Sequence, residues 1–272
     1  MLDIFFAALA GVIQGLTEFL PISSSGHLVL FHDFFDFDLP DNVAFDVVLH
    51  LGTLMALLLF FWRDVIRYIL AFFKSFVHWD IRSDIDQRLA WYLLIATVPG
   101  VIAGALWEDM IDTALRNTTV VAWMMIIIGI ILFFADRWSK QQRTLSSISL
   151  SGAIGIGVAQ ALALVPGVSR SGITIIAGLA QKLNREAAAR FSFLLSMPIV
   201  AGAGAKKMVD LLTSSNDLAG ERIVLATGFV TSAIVGYLCI KFFLKYLQSH
   251  SLAVFAYYRV ALGIIIIIAS ML

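Results

Sequence analysis

Gly11-Val-Ile-Gln14-Gly-Leu-Thr-Glu18-Phe-Leu-Pro21-Ile-Ser23-Ser24-Ser25-Gly26-His27 recurs in altered form 146 residues later. The second copy is Gly157-Val-Ala-Gln160-Ala-Leu-Ala-Leu-Val-Pro166-Gly167-Val-Ser169-Arg170-Ser171-Gly172-Ile-Thr174. Without a gap, seven of sixteen positions are identical, polar ones among them, and the proline slips by one place. A chance match in a biased composition explains this less well than a duplicated fold with two half-sites. Each copy places hydroxyls and a cationic or titratable side chain inside an apolar stretch.

The rest of the chain states what those segments are embedded in. Of its 272 residues 60% are hydrophobic and 14% charged, with a mean hydropathy of +0.91. A soluble domain is nearer half apolar and a quarter charged. Apolar runs at 120–135 and 252–272 approach or reach bilayer-spanning length. The chain therefore reads as an integral membrane protein. The first apolar stretch does not read as a signal peptide, because it lacks a basic leader and carries Glu18 and a Pro-Ser-Ser-Ser turn. A net charge of zero gives no ground for nucleic-acid binding. The single Cys239 excludes an intramolecular disulfide and a cysteine metal site, and is read as packing.

Six full spans are expected, at about 45–62, 90–107, 119–136, 191–210, 222–240 and 253–272. Two further segments, about 2–31 and 150–181, are broken midway by the Pro/Ser/Gly motif. Their arms of about 10–18 residues give roughly 15–27 Å of helix, mostly short of a ~30 Å hydrocarbon core. Each is expected to be a re-entrant helical hairpin. Irregular backbone at that depth is tolerated only inside protein or against a wet cavity. With loop 63–90 cytoplasmic, thirteen Lys and Arg fall inside and four outside, and both termini face outward. Three spans separate the hairpins, so one dips in from each side. The expected fold is all-α and polytopic: six transmembrane helices plus two opposed hairpins in an inverted-topology repeat. It forms one domain over 1–272, with halves about 1–145 and 146–272. That architecture is common among transporters.

Several polar residues can carry chemistry. Glu18 is the one carboxylate inside an apolar segment away from a chain end, and such a group is costly. Gln14, one helical turn earlier, can share a ligand or metal with it, or merely hydrogen-bond to it. Ser23, Ser24, Ser25 and Gly26 open one return helix; Ser169, Arg170, Ser171 and Gly172 open the other. Helix N-termini favour anions. A single serine there can be just a cap, but three serines, with Ser169, Ser171 and Thr174, exceed that need. The Arg170 guanidinium matches phosphate oxygens, or pairs with Glu18. His27 can carry a proton or act as nucleophile, or be a packed core histidine. His50 reads as a packed or pore-lining residue, Tyr257-Tyr258 as part of an interfacial belt, and Arg259 as a snorkelling side chain in preference to a contact to substrate.

These motifs resemble those of the undecaprenyl-diphosphate phosphatase family, also called bacitracin-resistance proteins. The family carries a (Glu/Gln)-x-x-x-Glu motif, here Gln14 and Glu18, then Pro-x-Ser-Ser-(Ser/Thr)-Gly-His, here Pro21 to His27. Its second motif, Pro-Gly-x-Ser-Arg-Ser-Gly-x-Thr, stands here as Pro166 to Thr174. The resemblance runs through the chain, including Phe-Ser-Phe-Leu-Leu at 191–195 and Tyr258-Arg259. It implies hydrolysis of the terminal phosphate of a C55 polyprenyl diphosphate in the bacterial cytoplasmic membrane. It also implies a divalent cation, Mg²⁺ or Ca²⁺, held by Glu18 and Gln14. Gln14 stands where many members have Glu, which removes one possible acidic ligand. On this reading Arg170 clamps a phosphate, with Ser169, Ser171 and Thr174 donating to it. Ser24 attacks phosphorus assisted by His27, with His27 itself or a water as the other candidate nucleophiles. The partners are the lipid substrate and the bilayer; a homodimer is left open. The rival class is an inverted-repeat transporter or flippase for an anionic lipid or solute.

Overall fold

A computed structural model describes residues 2–35, 37, 42–115, 117–213 and 222–270. Among them the fold is all-helical, with one isolated bridge between Arg143 and Leu183 and no sheet. Five helices are long and apolar enough to cross a membrane: α3 (Asn42–Phe60), α5 (Ile85–Ala114), α6 (Thr118–Trp138), α9 (Arg185–Thr213) and α10 (Arg222–Leu247). The chain is an all-α polytopic membrane protein. The sixth expected span, 253–272, is α11 (Ala253–Ala269). Its 17 residues give about 26 Å of helix, less than a full hydrocarbon core. Asp36, Asp38, Asp41 and Arg116, used in assigning sides, lie outside the described residues.

The two motif-bearing segments are pairs of short helices. One pair is α1 (Leu2–Thr17) and α2 (Ser24–Phe35); the other is α7 (Leu150–Ala161) and α8 (Arg170–Ala180). The recurring first glycine explains how each pair docks. A Cβ on Gly11 would come 2.8 Å from the Gly228 carbonyl oxygen, so α1 lies backbone to backbone on α10. A Cβ on Gly157 would collide with the Ala96 carbonyl oxygen, so α7 lies still closer on α5. Each hairpin thus leans on a long helix of the other half or its counterpart. Pairs α3 with α9 and α6 with α11 join the halves across the middle.

Polar caps start several of these helices. Asn117 accepts from the Val120 N–H and opens α6, and Ser149 does the same for Gly152 and α7. Asp84 accepts from the N–H groups of Asp86 and Gln87. That cap starts α5 at Ile85, five residues before the apolar run suggests. Loop 63–90 also contains a helix that the hydropathy run conceals, α4 (Trp62–Ser75). Trp62, Ile66, Ile69 and Phe73 form an exposed apolar stripe at helical spacing. Its other side is tied down by ion pairs from Asp64 to Arg67 and Arg190, and from Arg67 to Asp86.

The core sits beneath the hairpin tips. Phe19 is fully buried and packs edge-to-face on Phe193, ring centroids 5.3 Å apart. Phe193 belongs to the Phe-Ser-Phe-Leu-Leu segment, so this packing fixes the backbone next to Glu18.

Candidate active site

The two turns share one capping geometry. Ser23 has φ +74° and Ser169 φ +73°, a region that non-glycine residues adopt rarely and at some cost. Each serine hydroxyl accepts from the N–H of the glycine three residues on, Gly26 at 3.3 Å and Gly172 at 3.1 Å. Each also meets the hydroxyl two residues on, Ser25 at 3.4 Å and Ser171 at 3.2 Å. Ser23 and Ser169 are buried caps that hold the turn. For these two the capping reading prevails over a direct contact to phosphate.

The second motif's other hydroxyls face inward too. Ser171 Oγ donates to the Leu20 carbonyl at 2.9 Å, tying one turn to the other. Thr174 is fully buried, its hydroxyl 2.6 Å from both the Arg170 carbonyl and Ser192 Oγ. In this structure the hydroxyls of Ser169, Ser171 and Thr174 are bonded within the protein. Their hydrogen bonds build the loop that aims Arg170.

Glu18 is where the halves meet. It lies just past the end of α1 and is buried. Its Oε1 forms an ion pair with Arg170 Nη2, from the first residue of α8. Its Oε2 accepts from Ser24 Oγ at 2.6 Å and from Gln14 Nε2 at 3.0 Å. His50 Nε2 stands 3.5 Å from the same oxygen. Of the two readings for Arg170, the salt bridge is present, but it uses only part of the fork. Arg170 Nη1 is buried without a hydrogen-bond partner among the described residues, as is Gln14 Oε1. An unpaired buried polar atom costs about 1–3 kcal/mol. A donor and an acceptor left over beside one carboxylate suit a ligand carrying both oxygens and positive charge.

The same observation tests the cation. Among the described residues no group of three or more His, Cys, Asp or Glu could hold a metal. Glu18 and the spare Gln14 Oε1 nonetheless offer hard oxygen donors side by side, which suits a divalent ion completing its shell from substrate and water.

His27 does not reach Ser24. Its Nδ1 lies 2.7 Å from the Ser23 carbonyl, and its Nε2 lies 2.7 Å from Tyr258 Oη, the two rings nearly parallel. The carbonyl can only accept, so Nδ1 carries the proton and Tyr258 donates to Nε2. The expectation that His27 assists Ser24 gives way to Glu18 as the serine's partner.

Three residues read as unremarkable belong to the site. His50 reaches Glu18, and Tyr258 holds His27. Arg259 does not snorkel. It is fully buried and donates to the carbonyls of Pro21 (3.1 Å), Gly167 (2.7 Å) and Val168 (3.1 Å), and to Met124 and Met125 in α6. One guanidinium thereby staples both turns. The signal was available: it is an ionisable group inside an apolar run, the same criterion that singled out Glu18.

Two spaces adjoin the site. A cleft of about 230 Å³ between α2, α3 and the second turn is lined by Ser25, Asp46, His50 and Pro166. A groove of about 740 Å³ runs from His27 between α2 and α11, lined by Leu30, Phe31, Phe34, Leu262 and Ile265.

Known proteins share this chain along its length. A relative from Rubrobacter xylanophilus, named undecaprenyl-diphosphatase, is 47% identical over 98% of each chain. Relatives of the same name from Desulforudis audaxviator and Methanosphaera stadtmanae are 44% and 42% identical, over 98% and 99% of both chains. The family described as bacitracin resistance protein BacA matches residues 7–265, and this chain belongs to that family.

Proposed function

We propose that this protein hydrolyses the terminal phosphate of undecaprenyl diphosphate, giving undecaprenyl phosphate and inorganic phosphate. The observation that carries the reading is one chain of contacts: Ser24 hydroxyl to Glu18 carboxylate to Arg170, joining both turns. It places a candidate nucleophile, its base and a phosphate-matching cation within one locus.

Ser24 Oγ attacks the terminal phosphorus as its proton passes to Glu18. The P–O bond of the anhydride breaks, and undecaprenyl phosphate leaves with the electron pair. Glu18 passes that proton on to the departing undecaprenyl phosphate. Water then attacks the seryl phosphate as its proton passes to the freed carboxylate, the Ser24 Oγ–P bond breaks, and Glu18 returns the proton to Ser24 Oγ as inorganic phosphate leaves. Arg170 holds phosphate oxygens through the guanidinium edge that Glu18 does not use, and the N-terminus of α8 faces the same charge. Glu18 and Gln14 would hold a divalent cation, Mg²⁺ or Ca²⁺, whose positive charge offsets that of the diphosphate. The isoprenoid tail lies along the apolar groove between α2 and α11 and leaves sideways into the bilayer. We place the protein in the bacterial cytoplasmic membrane, the site opening and both termini toward the outside, where it recycles the lipid carrier for cell-wall synthesis. The halves about 1–145 and 146–272 form a single catalytic unit. A transporter needs Arg170 and the serines but gives no role to a serine hydroxyl held on a carboxylate.

The test is phosphate release from C15 or C55 polyprenyl diphosphate by protein in detergent, with and without Mg²⁺. Release that depends on the cation and is lost in Glu18→Ala and Arg170→Ala is expected. A phosphorylated Ser24 trapped on the enzyme supports the serine route, and full activity in Ser24→Ala would end it.

A further inference from the structure

His50 has a geometry that the reaction above leaves unused. Its Nδ1 lies 2.8 Å from the Asp46 carbonyl oxygen, one turn back in α3. A carbonyl only accepts, so Nδ1 carries the proton, and in the neutral ring Nε2 keeps a lone pair. That lone pair is turned toward Glu18 Oε2, 3.5 Å away. At this separation the two atoms either share a proton as an ion pair or take a bound cation between them. The separation suits a cation. Two ligands about 2.1 Å from a first-row metal at a tetrahedral angle lie about 3.4 Å apart. An imidazole whose far N–H is fixed on a backbone carbonyl is the outer-shell arrangement that orients metal-bound histidines. Gln14 Oε1, buried and unpartnered, is a second independent mark of a missing electrophile at this carboxylate. His50 also lines the cleft between α2, α3 and the second turn.

We propose that His50 Nε2 is a third protein ligand, beside Glu18 and Gln14, for the divalent cation of this site. The proposal deepens the diphosphatase reading and rests on it. An imidazole nitrogen matches Mn²⁺, Co²⁺ or Zn²⁺ better than Ca²⁺, which takes oxygen ligands. His50 therefore sets the site's preference toward transition ions.

The probe is Mn²⁺ added to the full chain in detergent micelles, read by electron spin-echo envelope modulation with ¹⁴N- and ¹⁵N-labelled histidine. Imidazole coupling that changes with the label is expected in the wild type. It persists in His27→Gln and vanishes in His50→Gln. Mn²⁺ affinity in His50→Gln falls by about tenfold or more, taking the lower bound for lost outer-shell contacts as a floor. Ca²⁺ affinity holds, which also shows that the variant is folded. Bound Mn²⁺ without imidazole coupling in the wild type overturns the proposal, as does coupling that survives in His50→Gln or no Mn²⁺ binding at all. Phosphate release is measured on the same samples with Mg²⁺. Release without imidazole coupling removes His50 from the shell and leaves the reaction standing. Absence of release with every cation, with coupling present, fails the reaction instead.

Discussion

The two hairpins share a backbone and divide the chemistry. Ser23 and Ser169 adopt the same unusual φ and cap the same relative glycine. Gly11 and Gly157 each let an incoming helix dock backbone to backbone, the second more closely. At matching positions the side chains then part: Glu18 against Leu164, Ser24 against Arg170, His27 against Ile173. Gln14 donates to Glu18, whereas both amide atoms of its counterpart Gln160 are buried without a partner among the described residues. On the proposed function the duplication yields one composite site, with the serine and carboxylate from the first motif and the guanidinium from the second.

Exchanges between the halves test that division. The largest effect is expected from its charged centre. Glu18→Gln and Arg170→Ala should each lower phosphate release by about 10²–10³-fold, the range for losing one preorganised charge partner. Leu164→Gln, at the position matching Glu18, should leave most of the activity. Comparable losses at 18 and 164 would mean that the turns are functionally equivalent. Next comes the staple. Arg259→Met leaves carbonyls of both turns without their donor and should destabilise the protein by about 1–3 kcal/mol for each carbonyl that no other donor reaches. The fall should appear in thermal unfolding in detergent, with activity lost in parallel.

The glutamines sharpen the contrast at smaller scale. Gln14→Leu should weaken cation-dependent release by about tenfold or more, by analogy with lost outer-shell contacts at metal sites. Gln160→Leu should leave release intact and hold or raise stability by up to about 1–2 kcal/mol, since it removes an unsatisfied amide. The smallest effect is symmetrical. Ser23→Ala and Ser169→Ala should each cost about 1 kcal/mol of stability, as caps do. Markedly unequal costs would show that one turn bears more than a cap.

The sequence made the hairpins legible because a doubled proline–serine–glycine motif inside apolar runs has few structural explanations. It exposed Glu18 and Arg170 because a charge at membrane depth demands a partner. It hid α4, since an amphipathic helix among charges averages to a polar loop in hydropathy. It hid His50 because the residue's role depends on α3 passing beside α1, and nothing local to Val-Leu-His-Leu-Gly records that passage. Arg259 was misjudged although the start of its span was placed correctly. Its guanidinium turns inward onto carbonyls of α6 and of both turns, and those partners lie far from it in sequence.

The staple also has a consequence for assembly. Arg259 lies 238 residues beyond the Pro21 carbonyl that it binds and 92 beyond that of Gly167. The first hairpin is synthesised early, yet its turn gains its last donor only when α11 docks. On the proposed function, the site is thus completed only after α11 has been made and has docked against both turns, so the early hairpin waits on a late helix.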